Sequence, residues 1–189
     1  MRVTESTSGT RSRIQAVALE LFTEQGYEKT SLREIAERLG VTKAALYYHF
    51  KSKDDIVGSL VEDRVQRLDN LIKWAQDQPA TAASRREVLR RYADEFFANH
   101  RPSVIRFFEQ NQTMFKSLAG QMMRERLLRM ADVLAGPGNS PSAQLRAALS
   151  LFAVHGSWFA VRTRQISDEE RRRIALEIAY ELLDRIDEE

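Results

Sequence analysis

The sequence predicts an all-α fold, and three observations carry that expectation. Apolar residues recur at the three- and four-residue spacing of a helix face along most of the chain. No stretch alternates apolar and polar residues with the period of a strand, and there is no internal repeat. Only four prolines occur in 189 residues, and three of them, Pro79, Pro137 and Pro141, stand in loop-like stretches. With 43% apolar and 30% charged residues, the composition is that of a globular chain able to bury a sizeable core.

Taken in order, Ile14, Val17, Ala18, Leu21 and Phe22 line one face of a first helix, which Gly26 ends. Ser31 and Glu34 have capping-box spacing for a second, with Thr30 as an alternative cap. Leu32, Ile35, Ala36 and Leu39 form its apolar face, and Gly40 stops it. Thr42 caps a third, very short helix that reaches to about Phe50. A long fourth helix runs from about Lys53 to Gln76 on a stripe that includes Ile56, Val57, Leu60, Val65, Leu68 and Ile72.

After the soft connection at 77–84, Ser84 and Glu87 have the spacing to cap a fifth helix carrying Val88, Leu89, Tyr92, Ala93, Phe96 and Phe97. Pro102 suits the first turn of a sixth, and a seventh is expected over residues 112–135. Residues 136–141 are the clearest break in the chain. Two further helices are predicted over 142–164 and 168–187, the last capped by Ser167 and Glu170 with the stripe Ile174, Ala175, Ile178, Leu182 and Ile186. The total is about nine helices.

Composition removes several function classes. There is no cysteine, hence no disulfide, no thiolate nucleophile and no cysteine-bound metal. No nucleophile elbow, Gly-rich phosphate loop or His/carboxylate metal spacing is present, so no catalytic residue, metal ligand or cofactor is assigned and no enzyme is expected. "MRVTESTSGTRSR" lacks the apolar stretch of a secretory signal. The most apolar run, residues 147–161, falls short of the roughly 20 residues that span a bilayer. It also carries Ser150, His155 and Ser157, and so reads as a buried helix with no membrane partner. A cytoplasmic location is expected.

Net charge is only +2, but its distribution is informative. Residues 38–53 contain no Asp or Glu, and within them "GVTKAALYYHFKSK" gathers lysines, two tyrosines and a histidine. A helix, a glycine turn and a short helix in this register have the spacing of a helix-turn-helix, whose second helix lies in the DNA major groove. Leu46 and Phe50 anchor the short helix to the core, while Lys43, Ala44 and Tyr47 lie on its other face. Small alanines let base edges approach, and tyrosine hydroxyls donate to phosphate from stiff stems.

Residues 11–58 resemble the DNA-binding domain of the TetR family of bacterial transcription regulators, on the strength of "ALELFTEQGYEKTSLREIAERLGVTKAALYYHFKSKDDI". The resemblance implies an N-terminal tail and three-helix helix-turn-helix DNA-binding domain (1–52), joined by the long helix to a C-terminal helical domain for ligand binding and dimerisation (53–189). It implies that Arg33 reaches a base or phosphate. Thr42, Lys43, Ala44 and Ala45 then form the base-facing start of the recognition helix, and Tyr47 contacts base or backbone. Tyr48, His49 and Lys53 match phosphate-contacting positions, and Thr30 and Ser31 lie at a helix N-terminus suited to phosphate.

The remainder of the chain is rich in Phe, Met and Trp at core spacing. Some of these side chains are expected to line a pocket for a small apolar effector, with Phe96, His100, Asn111, Phe115, Met122, His155 and Phe159 as candidates. The helix over 142–164 is apolar nearly all round, so a homodimer through residues 142–187 is expected to cover its second side. The expected function is a ligand-responsive transcriptional repressor that binds a palindromic operator as a homodimer. A second reading keeps the DNA-binding domain but replaces the small molecule by a controlling protein partner.

Overall fold

The structure, a computed structural model, describes residues 3–99, 118–160 and 166–187. The described residues form eight α-helices and one 3-10 turn, with no strand. They are α1 (Val3–Gln25), α2 (Leu32–Leu39), α3 (Lys43–His49), α4 (Lys53–Gln76), α5 (Ala82–Asn99), α6 (Leu118–Ala135), α7 (Pro141–Ala160) and α8 (Asp168–Asp184), followed by the turn Arg185–Asp187. The fold is all-α as expected. The predicted sixth helix at Pro102, and residues 112–117 of the seventh, lie outside the described residues.

Local chemistry explains most boundaries. The Ser31 hydroxyl accepts from the Glu34 amide, and Glu34 accepts from the Ser31 amide at 2.7 Å, closing the capping box of α2. Gly40 takes φ 68°, a left-handed conformation that costs glycine nothing; this returns its amide to Glu37 O and the Val41 amide to Ala36 O. Thr42 caps α3 through the Ala45 amide at 3.1 Å. Ser167 caps α8 through the Glu170 amide.

Four local expectations need correction. Helix α1 begins at Val3, so the segment read as an N-terminal tail is helical and includes Gly9. Helix α5 begins before Ser84: Thr81 Oγ1 accepts the Ser84 amide and is the cap, while Glu87 pairs with Arg90 and Arg91. Pro141 is the first residue of α7, where its missing N–H is no loss, and Ser140 accepts the Ala143 amide. Ile178, assigned to the core stripe of α8, is exposed; Arg171, Ala175, Leu176, Ala179 and Leu183 are the buried positions of that helix.

The framework gathers into two compact units, one within Met1–Arg64 and the other within Val65–Asn99 and Ser117–Glu189. The first packs Ile14, Ala18, Phe22, Ile35, Leu46, Phe50 and Ile56 into one cluster. The second builds its cluster on Ile72, Leu89, Tyr92, Met130, Leu134, Val154 and Leu183. Among the described residues, no helix is long and apolar enough to cross a membrane.

Candidate nucleic-acid interface

In the first unit, α3 is held by its back. Leu46 is fully buried and Phe50 nearly so, against Ile35 and Phe22 in the same cluster. Burying those two side chains fixes which residues face out: Thr42, Lys43, Ala44, Ala45 and Tyr48 are all exposed, Tyr48 at 76%. A tyrosine left that far in water is unusual for a monomer's own packing needs. The Lys43 ammonium sits 5.3 Å from the Tyr47 ring centroid, and the Tyr48 and His49 rings meet edge to face at 5.3 Å. Tyr48 stays in solvent and His49 is half-buried, whereas Tyr47, expected on the outer face, is half-buried against the core cluster.

The acidic residues that follow the acid-free window are occupied. Asp55 accepts the amides of Lys51 and Ser52, and bonding to the Ser52 hydroxyl and to these amides holds its carboxyl below the usual range. Asp54 accepts the Tyr27 hydroxyl; burial first, then that bond, pushes the Tyr27 phenol well up. The negative charge at the start of α4 is thus committed to a helix N-terminus and a tyrosine. Arg33 is exposed and paired with Glu37 at 2.7 Å. The Lys51 ammonium donates to Tyr47 O at 2.6 Å.

Two predicted contact residues have other partners here. Thr30 is 2% exposed and donates to Gly26 O at 2.8 Å, so its hydroxyl faces the loop before α2, and of the pair Thr30 and Ser31 it is Ser31 that is exposed. The Lys53 ammonium donates to Tyr27 O at 2.6 Å and Glu28 O at 3.3 Å and lies over the Tyr27 ring. Placed there, it braces the loop between α1 and α2; reaching a phosphate requires exchanging those carbonyls for phosphate oxygens.

Of the predicted effector residues, the second unit brings two together. The Phe96 and His155 rings stack at 4.6 Å between centroids, and the Tyr92 hydroxyl bonds to His155 Nε2. Met122 is half-buried on α6. His100, Asn111, Phe115 and the Phe159 side chain lie outside the described residues. A separate open hollow of about 610 Å³ is lined by residues that include Ala75, Gln78, Arg85, Val88, Arg129 and Pro137, and by none of the predicted effector residues that are described. Among the described residues, no group of three or more His, Asp and Glu is placed to hold a metal ion.

Motif reading missed a polar chain inside the first unit: Arg11 and Gln15 of α1 with Ser59 and Asp63 of α4. The available signal was that Gln15 follows the core residue Ile14, and Ser59 stands among Ile56, Val57 and Leu60, each a polar residue inside an apolar stripe.

Residues 14–60 match the family model described as bacterial regulatory proteins, tetR family. Residues 14–60 thus form a TetR-family DNA-binding region. The relatives and solved structures that the chain resembles are transcriptional regulators. Over 53 residues, TetR-family similarity reaches 51% identity with the HTH-type transcriptional regulator AcrR of Shigella flexneri, covering 28% of this chain and 25% of that protein. Over 87 residues the chain is 33% identical to the HTH-type transcriptional activator FasR of Mycolicibacterium smegmatis, covering 46% and 38%. The matches thus span 25% and 38% of the length of these curated relatives. The TetR fold itself extends further. A TerR/AcrR-family regulator from Aquifex aeolicus VF5 superposes with a TM-score of 0.69 at 22% identity, covering 89% of this chain and 96% of that one.

Proposed function

We propose that the protein is a ligand-responsive transcriptional repressor that binds a palindromic DNA operator as a homodimer. The observation that carries the reading is the outward face of α3, with Lys43, Ala44, Ala45 and Tyr48 in water and Leu46 locked behind them. A short helix presenting a lysine, two alanines and a tyrosine, free of carboxylates, fits a major groove and its flanking phosphates. The 1–52 segment then serves as the DNA-binding domain and 53–189 as the effector and dimerisation domain. A DNA target makes the cytoplasm its working compartment.

The dimer follows from α7. Leu145 is 60% exposed and Phe152 67%, with Leu149 between them on the same face and Ile178 exposed on α8. Residues at i, i+4 and i+7 form one apolar stripe. A second copy covers it within residues 142–187, and Gly156, where an added Cβ would touch only the Phe152 ring at 3.7 Å, keeps the stripe low at one end. Two copies supply two recognition helices for two half-sites.

The effector is assigned to the neighbourhood of Phe96 and His155, where stacked rings and the Tyr92 hydroxyl bonded to His155 lie in the core of the second unit, so a ligand must part these rings to enter. A ligand acts by favouring the geometry in which the recognition helices no longer fit successive grooves; about 100-fold selectivity between geometries is worth about 2.7 kcal/mol. Repression is favoured because occupancy of an operator suffices for it, whereas activation needs a further productive contact.

The test is direct. Wild-type protein is used to enrich duplexes from a random DNA library, and the enriched sequence is titrated by fluorescence anisotropy. A palindromic consensus is expected. Lys43→Ala should lower discrimination at one base position by about 1–3 kcal/mol. No enrichment over the input library contradicts the reading.

A further inference from the structure

Gln15 is 6% exposed, and a buried primary amide has donors that must be answered. Its Nε2 donates to Ser59 Oγ at 2.8 Å and to Asp63 Oδ2 at 2.7 Å. Ser59 is buried too, and its hydroxyl donates onward to Ile56 O at 2.7 Å. Arg11 Nη1 donates to both Asp63 oxygens, at 3.1 and 3.3 Å. The Arg11 guanidinium also lies 5.4 Å from the ring centroid of Phe50, the residue that caps the C-terminal end of α3. One carboxylate therefore gathers two side chains of α1, and through Arg11 it reaches the end of the recognition helix.

Apolar packing alone sets the axial register of two helices weakly, because burial is non-directional. A buried amide and a buried hydroxyl tied to a half-exposed carboxylate set it more sharply, since a slip of either helix leaves the buried Gln15 donors unanswered, at about 1–3 kcal/mol. Such groups contribute little net stability compared with apolar residues of the same shape, so their effect is felt in which arrangement is adopted. We propose that Asp63, acting with Gln15 and Ser59, is a positioning residue that fixes the register of α1 on α4 and thereby the orientation of the α3 face that reads DNA. This rests on the DNA-binding reading above.

The experiment uses full-length protein and the duplex enriched by the wild type. Two variants are compared: Asp63→Asn, which keeps the shape but turns a donor toward Gln15 or Arg11, and the apolar triple Gln15→Leu/Ser59→Ala/Asp63→Leu. Thermal unfolding is measured beside DNA affinity as a function of salt. The triple variant is expected to melt no lower than the wild type yet to bind roughly ten-fold more weakly, the size of a buried polar coupling. The slope of log affinity against log salt should not change, because no phosphate contact is lost. Should the triple variant not fold, Asp63→Asn is expected to melt lower, because a donor is left unanswered, and still to bind about ten-fold more weakly with an unchanged salt slope. Wild-type affinity in a folded variant overturns the proposal, as does a loss accompanied by a shallower salt slope, which marks a direct phosphate contact. If the wild type enriches no DNA, the DNA reading itself fails and takes this proposal with it, an outcome distinct from the other two.

Discussion

In the unit within Met1–Arg64, the buried Gln15 answers other side chains, Ser59 and Asp63, on another helix. In the second unit, the buried arginines answer main chain: Arg85 Nε donates to Leu134 O at 3.0 Å near the end of α6, and Arg171 donates to Ser157 O near the end of α7. Ser150 and Ser157 bond within their own helix, to Ala147 O and Val154 O. A side-chain-to-side-chain chain requires particular residues at both ends. A carbonyl at a helix C-terminus is available whatever residue carries it. The first arrangement ties the pairing to particular residues at both ends; the second leaves the accepting residue free, although Tyr92 and His155 pair side chain to side chain in that unit too. The family model is confined to residues 14–60, whereas the structural likeness covers 89% of the chain at 22% identity.

The largest expected effect comes from separating the two cores. Leu46→Ala empties a fully buried position in the smaller cluster and should cost about 2–5 kcal/mol. We expect circular dichroism to show an early, partial loss of helix, with the rest melting as in the wild type, and DNA binding to vanish. A single shifted transition would mean that the two cores unfold as one.

Next is the exposed stripe of the second unit. Phe152→Asp should leave monomer stability within about 0.5 kcal/mol, since the side chain is in water. It should weaken self-association by about 2 kcal/mol or more if Phe152 anchors the interface. Sedimentation velocity reads this as a shift from dimer to monomer. Unchanged association would remove α7 from the interface.

A smaller effect tests the capping of the reading head. Ser31→Ala deletes the hydroxyl's bonds to the Glu34 amide and carboxylate but keeps the Ser31 amide half of the α2 box, and should cost about 1 kcal/mol, measured by denaturant midpoint.

The smallest effect is on pH. Bonding to the Ser31 hydroxyl and amide holds the Glu34 carboxyl below its ordinary value, and the Ser52 hydroxyl with nearby amides does the same for Asp55. In the second unit, hydrogen bonds from Arg90 and Arg91 bring Glu87 down to about 2. A carboxyl lowered in the folded state stabilises above its unfolded pKa, about 4, and that contribution is lost as pH falls through the folded value. Melting temperature should therefore hold from neutral pH to about 5 and decline below about 4. The decline should be shallower in Glu34→Gln. An identical decline in that variant would dissociate the cap from acid stability.

Much of this fold was legible because glycines, hydroxyl caps and apolar periodicity are local signals. Ser31 and Gly40 bound α2, and Thr42 opens α3, through contacts within a few residues. The start of α5 was misread because Ser84/Glu87 imitates a capping box that Thr81 pre-empts three residues earlier. Ile178 was placed inside because periodicity reports an apolar stripe without saying whether its own chain covers it. At the interface, motif and charge pattern picked out the exposed face of α3. The burial of Thr30 and the engagement of Lys53 with Tyr27 O and Glu28 O depend on a loop conformation that spacing does not encode. The Asp63 network joins residues 48 and 52 positions apart, beyond any local pattern.

On the proposed function, the exposed face of α3 and the exposed stripe of α7 serve one act, the reading of two half-sites by two copies. A hydroxyl-radical footprint on the enriched duplex, run with wild type and with Phe152→Asp, tests it most directly. The wild type is expected to protect two symmetry-related stretches about one helical turn or more apart. Phe152→Asp, at the same protein concentration, should lose both together. Protection of a single stretch by the wild type, or an unchanged double footprint in the variant, would contradict the account.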